Sequence, residues 1–304
     1  MIQEVGLVTK QLDGNALKQV ILDELTTTVD QLFTKYQKRP GLAVVLVGDN
    51  PASQAYVGMK KSACKRIGVE SFEHLLPEDV GQEALMAVIQ QLNQDDQVHG
   101  ILVQLPLPSG YDEQAIIELI DPSKDVDGFH PINVGRLLSG LPTIRSCTPY
   151  GVCELLSYYK IETEGKHVVI VGRSNIVGKP LAAMLVQKET PGNATVTICH
   201  SRSKQLKELT TQADILVAAI GQPGFITEDM VKEGAVVIDV GINRVSDPNA
   251  QRGYRLVGDV EYESVAPRSS AITPVPGGVG PLTIAMLMKN TVAMFRRSLD
   301  VPAV

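Results

Sequence analysis

The sequence predicts an α/β protein with two units, each a parallel sheet covered by helices on both faces. Three observations support this fold class. Short apolar runs such as GLAVVLVG (41–48) and KHVVIVG (166–172) are typical of strands buried on both faces. Helical patterns separate these runs, and such βαβ alternation implies parallel strands. The length of 304 residues suggests two domains or one large one.

The first unit begins with a long amphipathic helix over residues 13–36, whose apolar residues recur at helical spacing. After strand 41–48, Asn50 is expected to cap a second helix, with Pro51 in its first turn and Gly68 at its end. The elements that follow are predicted as strand 69–76, helix 82–92, strand 100–107 and helix 113–120.

A break rich in proline, glycine and aspartate, residues 121–148, precedes the second unit. The last helix, 282–299, is expected to pack back on the first unit, which makes the first domain discontinuous. The predicted domains are 1–148 plus 279–304, and 149–278. The elements of the second unit are helix 150–159, strand 166–172, helix 178–187, strand 194–200, helix 203–212, strand 214–221 and strand 235–242.

Composition excludes several classes of protein. Apolar residues make up 44% of the chain and charged residues 20%, which rules out disorder and collagen-like repeats. The four cysteines show no C-x-x-C spacing, so no disulfide framework, zinc site or thioredoxin-like site is expected. A net charge of −6 and the lack of tryptophan argue against a nucleic-acid partner. No signal-peptide pattern or membrane-spanning apolar stretch is visible, so we expect a cytoplasmic protein without a membrane partner.

The segment VVIVGRSNIVGKP (168–180) is a candidate dinucleotide-binding turn. A buried strand is expected to end at Gly172 and a helix to start near Gly178. Glycine lets a phosphate approach the backbone, and the helix N-terminus presents unpaired N–H groups to it. The spacing G-x-S-x-x-x-G departs from G-x-G-x-x-G, so a purely structural turn remains an alternative. The βαβ series that follows favours a dinucleotide site.

The end of the next strand indicates which dinucleotide is bound. NAD-binding proteins usually carry an acidic residue there, which holds the ribose 2′-hydroxyl group. This strand ends in Cys199-His200-Ser201-Arg202, without a carboxylate, and Arg173 lies in the first turn. Two cations and a hydroxyl group suit a 2′-phosphate, so the sequence favours NADP. Solvated surface arginines are the alternative, more so for Arg202 than for Arg173.

Polar residues of the first unit are expected at the carboxyl edge of its sheet, where open α/β sheets bind ligands. Tyr56 and Lys60 are four residues apart and share one helix face. Gln104 follows a buried strand, and Asp127 lies in a later loop. That loop is not expected to bind calcium, because Val134 stands where a calcium loop requires glutamate. Each residue also has a structural interpretation: Lys60 in a solvated charged face, Tyr56 in packing, Asp127 in a turn.

Six segments of the chain match one family, in the family's order and over almost the whole length. They are GDNPASQAYVGMKKSACKRIG (48–68), GILVQLPLP (100–108), KDVDGFHPINVGRL (124–137), GRSNIVGKP (172–180), VIDVGINR (237–244) and TPVPGGVGPLT (273–283). On these segments the chain resembles the bifunctional methylenetetrahydrofolate dehydrogenase/methenyltetrahydrofolate cyclohydrolases. The departures, KETPGNA (188–194) and a hydrophilic insertion near 246–254, are expected in loops away from the motifs.

The resemblance implies an N-terminal folate-site domain completed by the C-terminal helix, a Rossmann-like NADP domain, and an active-site cleft between them. It implies NADP-dependent oxidation of 5,10-methylenetetrahydrofolate, hydrolysis of the methenyl product to 10-formyltetrahydrofolate, and a homodimer formed through the cofactor domain. The implied catalytic and substrate-binding residues are Tyr56, Lys60, Gln104 and Asp127. The loop residues implied to close over the folate are Pro276, Gly277 and Gly278. The residues implied to hold NADP are Gly172, Arg173, Ser174, Ser201 and Ile242.

Two other functions remain open from the sequence. A dehydrogenase that lacks the hydrolytic activity is one, and the joint presence of Tyr56, Lys60 and Gln104 argues against it. A non-catalytic NADP sensor is the other, and it predicts damaged folate contacts, of which none is evident. No metal site is expected for either reaction.

Overall fold

The computed structural model describes residues 9–250 and 253–301. Its helices are α1 (Gly14–Tyr36), α2 (Pro51–Ile67), α3 (Gln82–Gln94), α4 (Glu113–Leu119), α5 (Pro131–Leu138), α6 (Cys147–Tyr158), α7 (Gly178–Leu185), α8 (Leu206–Thr210), α9 (Tyr262–Val265) and α10 (Gly280–Ser298). Its strands are β1 (Lys10–Gln11), β2 (Gly41–Val47), β3 (Glu70–Leu76), β4 (Gly100–Val103), β5 (His167–Val171), β6 (Thr195–Cys199), β7 (Ile215–Ala218), β8 (Val236–Asp239), β9 (Asn243–Ser246), β10 (Tyr254–Val257) and β11 (Ala271–Ile272).

The smaller unit comprises Lys18–Cys147 and the chain from Ile284 onward. Its sheet has three parallel strands in the order β3-β2-β4. Strand β2 is buried along its whole length, as its unbroken apolar sequence predicts. On one face of the sheet, alternate residues of β2 form a core with apolar residues of α3 and α4.

The larger unit comprises Thr148–Thr283 and the described residues up to Leu17. Its sheet has six parallel strands in the order β1-β11-β8-β7-β5-β6. Strands β9 and β10 form a separate antiparallel hairpin. The valine-rich strands β5, β7 and β8 lie at the centre of the sheet, where both faces are covered, so their residues form the core.

The predicted α/β class with parallel sheets is confirmed, and most predicted elements lie within a few residues of the observed ones. Helix α5, strand β1, the β9–β10 hairpin, helix α9 and strand β11 were not predicted. Helix α5 lies in the segment 121–148 that was expected to be irregular. Strand β1 has two residues, which is too short for a periodicity signal. Strands β9 and β10 lie on either side of the hydrophilic segment near 246–254, which was expected in a loop; residues 247–250 and 253 lie outside both strands, and residues 251 and 252 lie outside the described residues.

The compact units differ from the predicted domain boundaries at the start of the chain. Residues 10 and 11 were placed in the first domain, yet β1 extends the six-stranded sheet by pairing with β11. The last helix belongs to the smaller unit from Ile284 onward, where the prediction set the boundary at residue 279. Among the described residues, no helix has the length and apolar character needed to span a membrane.

Candidate active site and cofactor turn

Helix α2 carries two of the predicted catalytic residues. Asn50 caps its N-terminus, as predicted, because Oδ1 accepts hydrogen bonds from the N–H groups of Ala52 (2.9 Å) and Ser53 (3.3 Å). Tyr56 and Lys60 lie one helical turn apart on the same face. Their environments differ: Tyr56 is 41% exposed, whereas Lys60 retains 9% of its accessible surface. Of the two side chains, only that of Lys60 has lost most of its hydration.

Gln104 holds the ammonium group of Lys60. Lys60 Nζ donates a hydrogen bond to Gln104 Oε1 over 2.8 Å. The sheet fixes the position of Gln104, since its backbone N–H donates to the carbonyl oxygen of Val45 (2.8 Å). Its Nε2 donates to the carbonyl oxygen of Leu105 (2.7 Å), which turns the amide oxygen towards the lysine. Burial lowers the pKa of Lys60 because the ammonium group is poorly hydrated, and the negative charge of Asp127 opposes this effect.

Asp127 provides the carboxyl group that interacts electrostatically with Lys60. Desolvation raises the pKa of Asp127 to about 6. The Lys60 ammonium group acts in the opposite direction, the nearby Asp125 carboxylate adds to the rise, and a hydrogen bond with the Cys147 thiol lowers the pKa slightly. Near neutral pH, this carboxyl group therefore exchanges between its ionised and neutral forms.

A second aspartate, Asp125, fixes the loop that carries Asp127. Asp125 is 2% exposed. Its Oδ1 accepts from the N–H of Gly128 (3.1 Å), and its Oδ2 accepts from the N–H of His130 (2.8 Å) and from Nδ2 of Asn133 (2.9 Å). The part of the chain that the structure describes holds no group of three or more His, Cys, Asp or Glu side chains that could bind a metal. The carboxylate of Asp125 thus serves the loop itself.

The candidate dinucleotide turn joins β5 to α7. Gly172 has φ +142°, and a Cβ atom there would collide with the carbonyl oxygen of Ala219. A Cβ at Gly178 would collide in turn with the carbonyl oxygen of Gly172. Ser174 Oγ accepts from the N–H of Val177 (3.1 Å), which shapes the entry to α7. Both glycines are therefore needed for a turn this tight, and backbone rather than side chains lines it, which fits the approach of a phosphate.

The turns after β5 and β6 are adjacent. The N–H of Gly172 donates to the carbonyl oxygen of Cys199 over 2.8 Å, because the two strands pair in parallel. Arg173 and Ser201, which follow these strands, are both exposed at the same edge of the sheet. The residues present fit a dinucleotide with a 2′-phosphate, since a cation and a hydroxyl group are accessible there and the end of β6 carries no carboxylate.

The remaining predicted residues also lie in the larger unit. Ile242 follows β8, is 44% exposed, and contacts the start of α10, where a Cβ at Gly280 would lie 2.8 Å from Ile242 Cδ1. Pro276, Gly277 and Gly278 form a tight loop after β11. This loop is tied to the start of α1 by a hydrogen bond of 2.8 Å from the N–H of residue 14 to the carbonyl oxygen of Gly277.

Buried polar residues that were not predicted support these positions. Asp125 and Asn133 support the loop of Asp127, and Asp239 and Asp259 support loops of the larger unit. Asp239 ends the largely buried strand β8, in VVID, and a carboxylate at the end of such a strand is a signal that could have found it. Asp259 follows Gly258 after the part-exposed strand β10 and carries no such signal. Burial raises the pKa of Asp239 to about 7, although backbone N–H groups donate to its carboxyl group.

The fold and these two groups of residues define a class: an α/β dinucleotide-binding enzyme with a separate lysine–carboxylate site. Comparisons with known proteins identify the family. The model of the tetrahydrofolate dehydrogenase/cyclohydrolase catalytic domain matches residues 12–127, and that of the family's NAD(P)-binding domain matches residues 146–299. The bifunctional protein FolD of Chlorobium chlorochromatii (strain CaD3) is 59% identical over 288 residues, which cover 94% of this chain and 98% of the relative.

Two solved structures extend this likeness to the fold. The bifunctional FolD dehydrogenase/cyclohydrolase of Campylobacter jejuni is 50% identical, with a TM-score of 0.90 and coverage of 95% of this chain and 99% of that one. The Trypanosoma brucei dehydrogenase-cyclohydrolase, solved with NADP cofactor and an inhibitor, is 42% identical, with a TM-score of 0.90 and coverage of 96% and 98%.

The chain belongs to the tetrahydrofolate dehydrogenase/cyclohydrolase family. The predicted family, the two-domain α/β fold with an NADP-binding domain, the bifunctional enzyme activity and the NADP cofactor are confirmed. Tetrahydrofolate compounds are its substrates.

Proposed function

We propose that the side chains of Lys60, Gln104 and Asp127 serve the two reactions of this enzyme, with Asp127 holding the folate for both and Lys60, held by Gln104, moving protons in the hydrolysis. The reactions are oxidation of 5,10-methylenetetrahydrofolate with NADP and hydrolysis of the 5,10-methenyl product to 10-formyltetrahydrofolate. One observation carries the proposal. Lys60 is buried, is held by Gln104 over 2.8 Å, and interacts with a carboxyl group whose pKa is about 6. Such a group can bind a folate and move a proton near neutral pH.

The oxidation requires orientation more than proton transfer. A hydride leaves a carbon flanked by two nitrogens, and the cation that forms is delocalised over both. NADP, when bound, supplies the hydride acceptor. The part of the protein is to hold the folate in a reactive position. We assign that part to Asp127 and to Tyr56, whose exposed ring lies on the same helix face as Lys60 and can stack on or line the pterin.

The hydrolysis needs a group that moves protons. Water adds to the methenyl carbon, and the bond from that carbon to N5 then breaks. The water oxygen stays in the formyl group, one of its protons ends on N5, and one is released. The neutral amine of Lys60 accepts a proton from the attacking water and delivers one to N5. Burial lowers the pKa of Lys60, and the positive charge of the methenyl substrate acts in the same direction.

Asp127 anchors the pterin in this proposal. Its two carboxylate oxygens match the paired N–H groups of the aminopyrimidinone ring, a bidentate arrangement that favours one orientation. Asp125 and Asn133 hold the loop so that this carboxylate does not move freely. Pro276, Gly277 and Gly278 close over the folate as the family resemblance implies.

NADP is held by residues of the larger unit. Gly172 and Ser174 form the turn for the pyrophosphate, and Ile242 contacts the cofactor at the end of β8. Arg173 and Ser201 receive the 2′-phosphate, because they are exposed after neighbouring strands of the sheet. A guanidinium group offers several donors to a phosphate, which a hydroxyl group alone cannot.

Arg173→Ala should raise the KM for NADP and change the KM for NAD little, because NAD lacks the 2′-phosphate. A loss of about 1.5–3 kcal/mol, typical of hydrogen bonds to charged groups, corresponds to more than roughly tenfold in affinity. The effect should shrink as salt rises, since Arg173 is exposed. Initial rates with each cofactor, at low and high salt, provide the measurement.

Arg268→Ala serves as the matched control for Arg173→Ala. It removes the same charge from the segment that precedes β11, at the amino edge of the same sheet. Its KM for NADP should equal that of the wild type. Equal weakening of NADP and NAD by Arg173→Ala would show that Arg173 does not contact the 2′-phosphate.

We further propose that the enzyme forms a homodimer through the cofactor domain. We also propose that it acts in the cytoplasm, without nucleic-acid or membrane partners. Strand β6 is an edge strand of the six-stranded sheet, and its Ile198 is 37% exposed. Exposed strand edges are sites where a second chain can pair. Sedimentation equilibrium of the wild type should give twice the mass of one chain. The Ile198→Lys variant should give a lower mass. A wild-type mass of one chain would contradict the dimer.

Initial-rate assays test the two activities separately. Wild-type protein with 5,10-methylenetetrahydrofolate should reduce NADP faster than NAD. With 5,10-methenyltetrahydrofolate and no cofactor, it should accelerate the loss of the methenyl absorbance. Oxidation without hydrolysis would favour the dehydrogenase-only alternative, and NADP binding without either activity would favour the sensor.

A further inference from the structure

Two buried aspartates connect the loops that follow β7 and β8 in the larger unit. Asp259 has no accessible surface, and Asp239 retains 3%. Asp239 is the last residue of β8, whereas Asp259 lies between β10 and α9. Neither residue belongs to the NADP-binding set described above, yet both bind backbone at the carboxyl edge of the sheet.

The carboxylate of Asp259 accepts hydrogen bonds from four donors. Oδ2 accepts from the N–H groups of Ile220 (2.6 Å) and Gly221 (2.9 Å). Oδ1 accepts from the N–H of Gln222 (2.9 Å) and from Nδ2 of Asn243 (2.8 Å). Three successive N–H groups that converge in this way form an anion-binding nest, and here the anion is a side chain of the protein itself. One carboxylate thus joins loop 219–222 to the residue that follows Ile242.

Asp239 holds Asp259 in place. Its Oδ1 accepts from the N–H groups of Gly241 (3.0 Å) and Asp259 (3.0 Å), and its Oδ2 accepts from the N–H of Val260 (2.9 Å). The packing leaves no room for other residues, because a Cβ at Gly241 would collide with the carboxylate of Asp259 and one at Gly258 with that of Asp239. The two aspartates therefore form one hydrogen-bonded, closely packed unit with loop 240–243.

These loops border the candidate cofactor turn. Ala219, the first residue of loop 219–222, places its carbonyl oxygen against Gly172, where a Cβ would collide with it. Ile242 lies within loop 240–243 and is 44% exposed. The surface that meets a dinucleotide at the carboxyl edge is thus shaped from beneath by Asp259.

We propose that Asp259 is a positioning residue for NADP binding, which acts by holding loops 219–222 and 240–243 in the shape that the cofactor meets. This inference rests on the proposed NADP-binding role of Ile242. Asp259 does not touch the cofactor in this proposal. It acts because its one carboxylate accepts hydrogen bonds from four donors of the two loops. A carboxylate is required because both of its oxygens accept two hydrogen bonds each.

Asp259→Asn tests this requirement. In either orientation, the amide of asparagine turns an NH₂ group towards two donors, so that side of the nest loses its acceptor and is repelled. We expect the dissociation constant for NADP to rise roughly tenfold. The KM for NADP should rise by a similar factor while kcat at saturating NADP changes little. In the cofactor-free protein, hydrogen exchange at the amides of 220–222 should accelerate.

Two further variants separate positioning from general stability. Asp214→Asn makes the same chemical change at the amino edge of the sheet, where the carboxylate accepts from the N–H of His167 (2.9 Å) and from Lys232 Nζ (2.6 Å). It should leave NADP affinity unchanged. Asn243→Ala removes one donor and keeps the carboxylate, so it should raise the dissociation constant for NADP by a smaller factor. This variant tests the proposal if Asp259→Asn does not fold.

The outcomes distinguish this inference from the proposed function. Cofactor-free hydrolysis of 5,10-methenyltetrahydrofolate should be unchanged in all three variants. Wild-type protein that lacks either activity contradicts the proposed function. Wild-type protein with both activities contradicts the inference if Asp259→Asn binds NADP as tightly as Asp214→Asn does, or if exchange at 220–222 stays slow. If Asp259→Asn does not fold, unchanged NADP affinity in Asn243→Ala overturns it.

Discussion

Lys60→Met is expected to slow the hydrolysis of 5,10-methenyltetrahydrofolate by about 10²- to 10⁴-fold, the range typical of a general acid–base group. Methionine keeps the length of the side chain and removes the amine, so no group remains to take a proton from water. Oxidation of 5,10-methylenetetrahydrofolate should survive better, since that step needs no proton transfer. Separate initial rates for the two substrates measure the difference.

Lys61→Met is the matched control for this variant. Lys61 is the next residue of α2, but its side chain is 62% exposed and forms a surface ion pair with Glu73 over 2.8 Å. Surface ion pairs of this kind contribute at most about 1 kcal/mol to stability. Both activities of Lys61→Met should therefore match the wild type. An equal loss of both activities in Lys60→Met, with the fold intact, would show that Lys60 mainly positions the folate.

Asp127→Ala should weaken folate binding and leave NADP binding nearly unchanged. Loss of a charge-assisted hydrogen-bond pair costs about 1.5–3 kcal/mol, or roughly ten- to 150-fold in affinity. Calorimetric titration with each ligand measures both effects. Asp112→Ala, which removes the N-cap bond to Ala115 of α4, controls for stability. Unchanged folate affinity in Asp127→Ala would place the pterin anchor elsewhere.

The affinity for folate should also depend on pH through Asp127. Desolvation raises the pKa of Asp127 to about 6. The Lys60 ammonium group opposes this rise, and the Asp125 carboxylate adds to it. The ionised form accepts the pterin N–H groups, so affinity should rise with pH as the proton leaves, by roughly tenfold between about pH 5 and 7, and level off above. Asp127→Asn should bind the folate more weakly than the wild type does, and its affinity should be nearly independent of pH in this range. An equally steep wild-type and variant profile would assign the titration to another group.

Much of the fold could be predicted because its signals are local. Strand β2 and residues 168–171 of β5 are unbroken apolar runs, and burial on both faces favours such runs in a parallel sheet. Helix α2 is capped by Asn50 before its first residue and by the left-handed Gly68 after its last, and both residue types are recognisable in the sequence. The glycine turn after β5 could be placed for the same reason.

Other features depend on partners distant in sequence. The two residues of β1 form a strand because they pair with β11, some 260 positions away in the chain, and a two-residue strand shows no periodicity in the sequence. Helix α5 has eight residues and is capped by His130, which is not among the preferred capping residues. The hydrogen bonds of Asp259 join three loops of the folded chain, so residue type alone cannot reveal them. The Lys60–Gln104 bond likewise spans 44 positions, and the family resemblance rather than spacing paired these residues.

A single time course tests the central claim, that one enzyme carries out both reactions and that Lys60 serves the second. Wild-type protein and Lys60→Met each receive 5,10-methylenetetrahydrofolate and NADP, and the absorbances of NADPH and of the methenyl compound are followed together. The wild type should form NADPH while little methenyl compound accumulates. Lys60→Met should form NADPH with a nearly equal amount of methenyl compound. Lys60→Met that clears the methenyl compound as fast as the wild type would contradict the account.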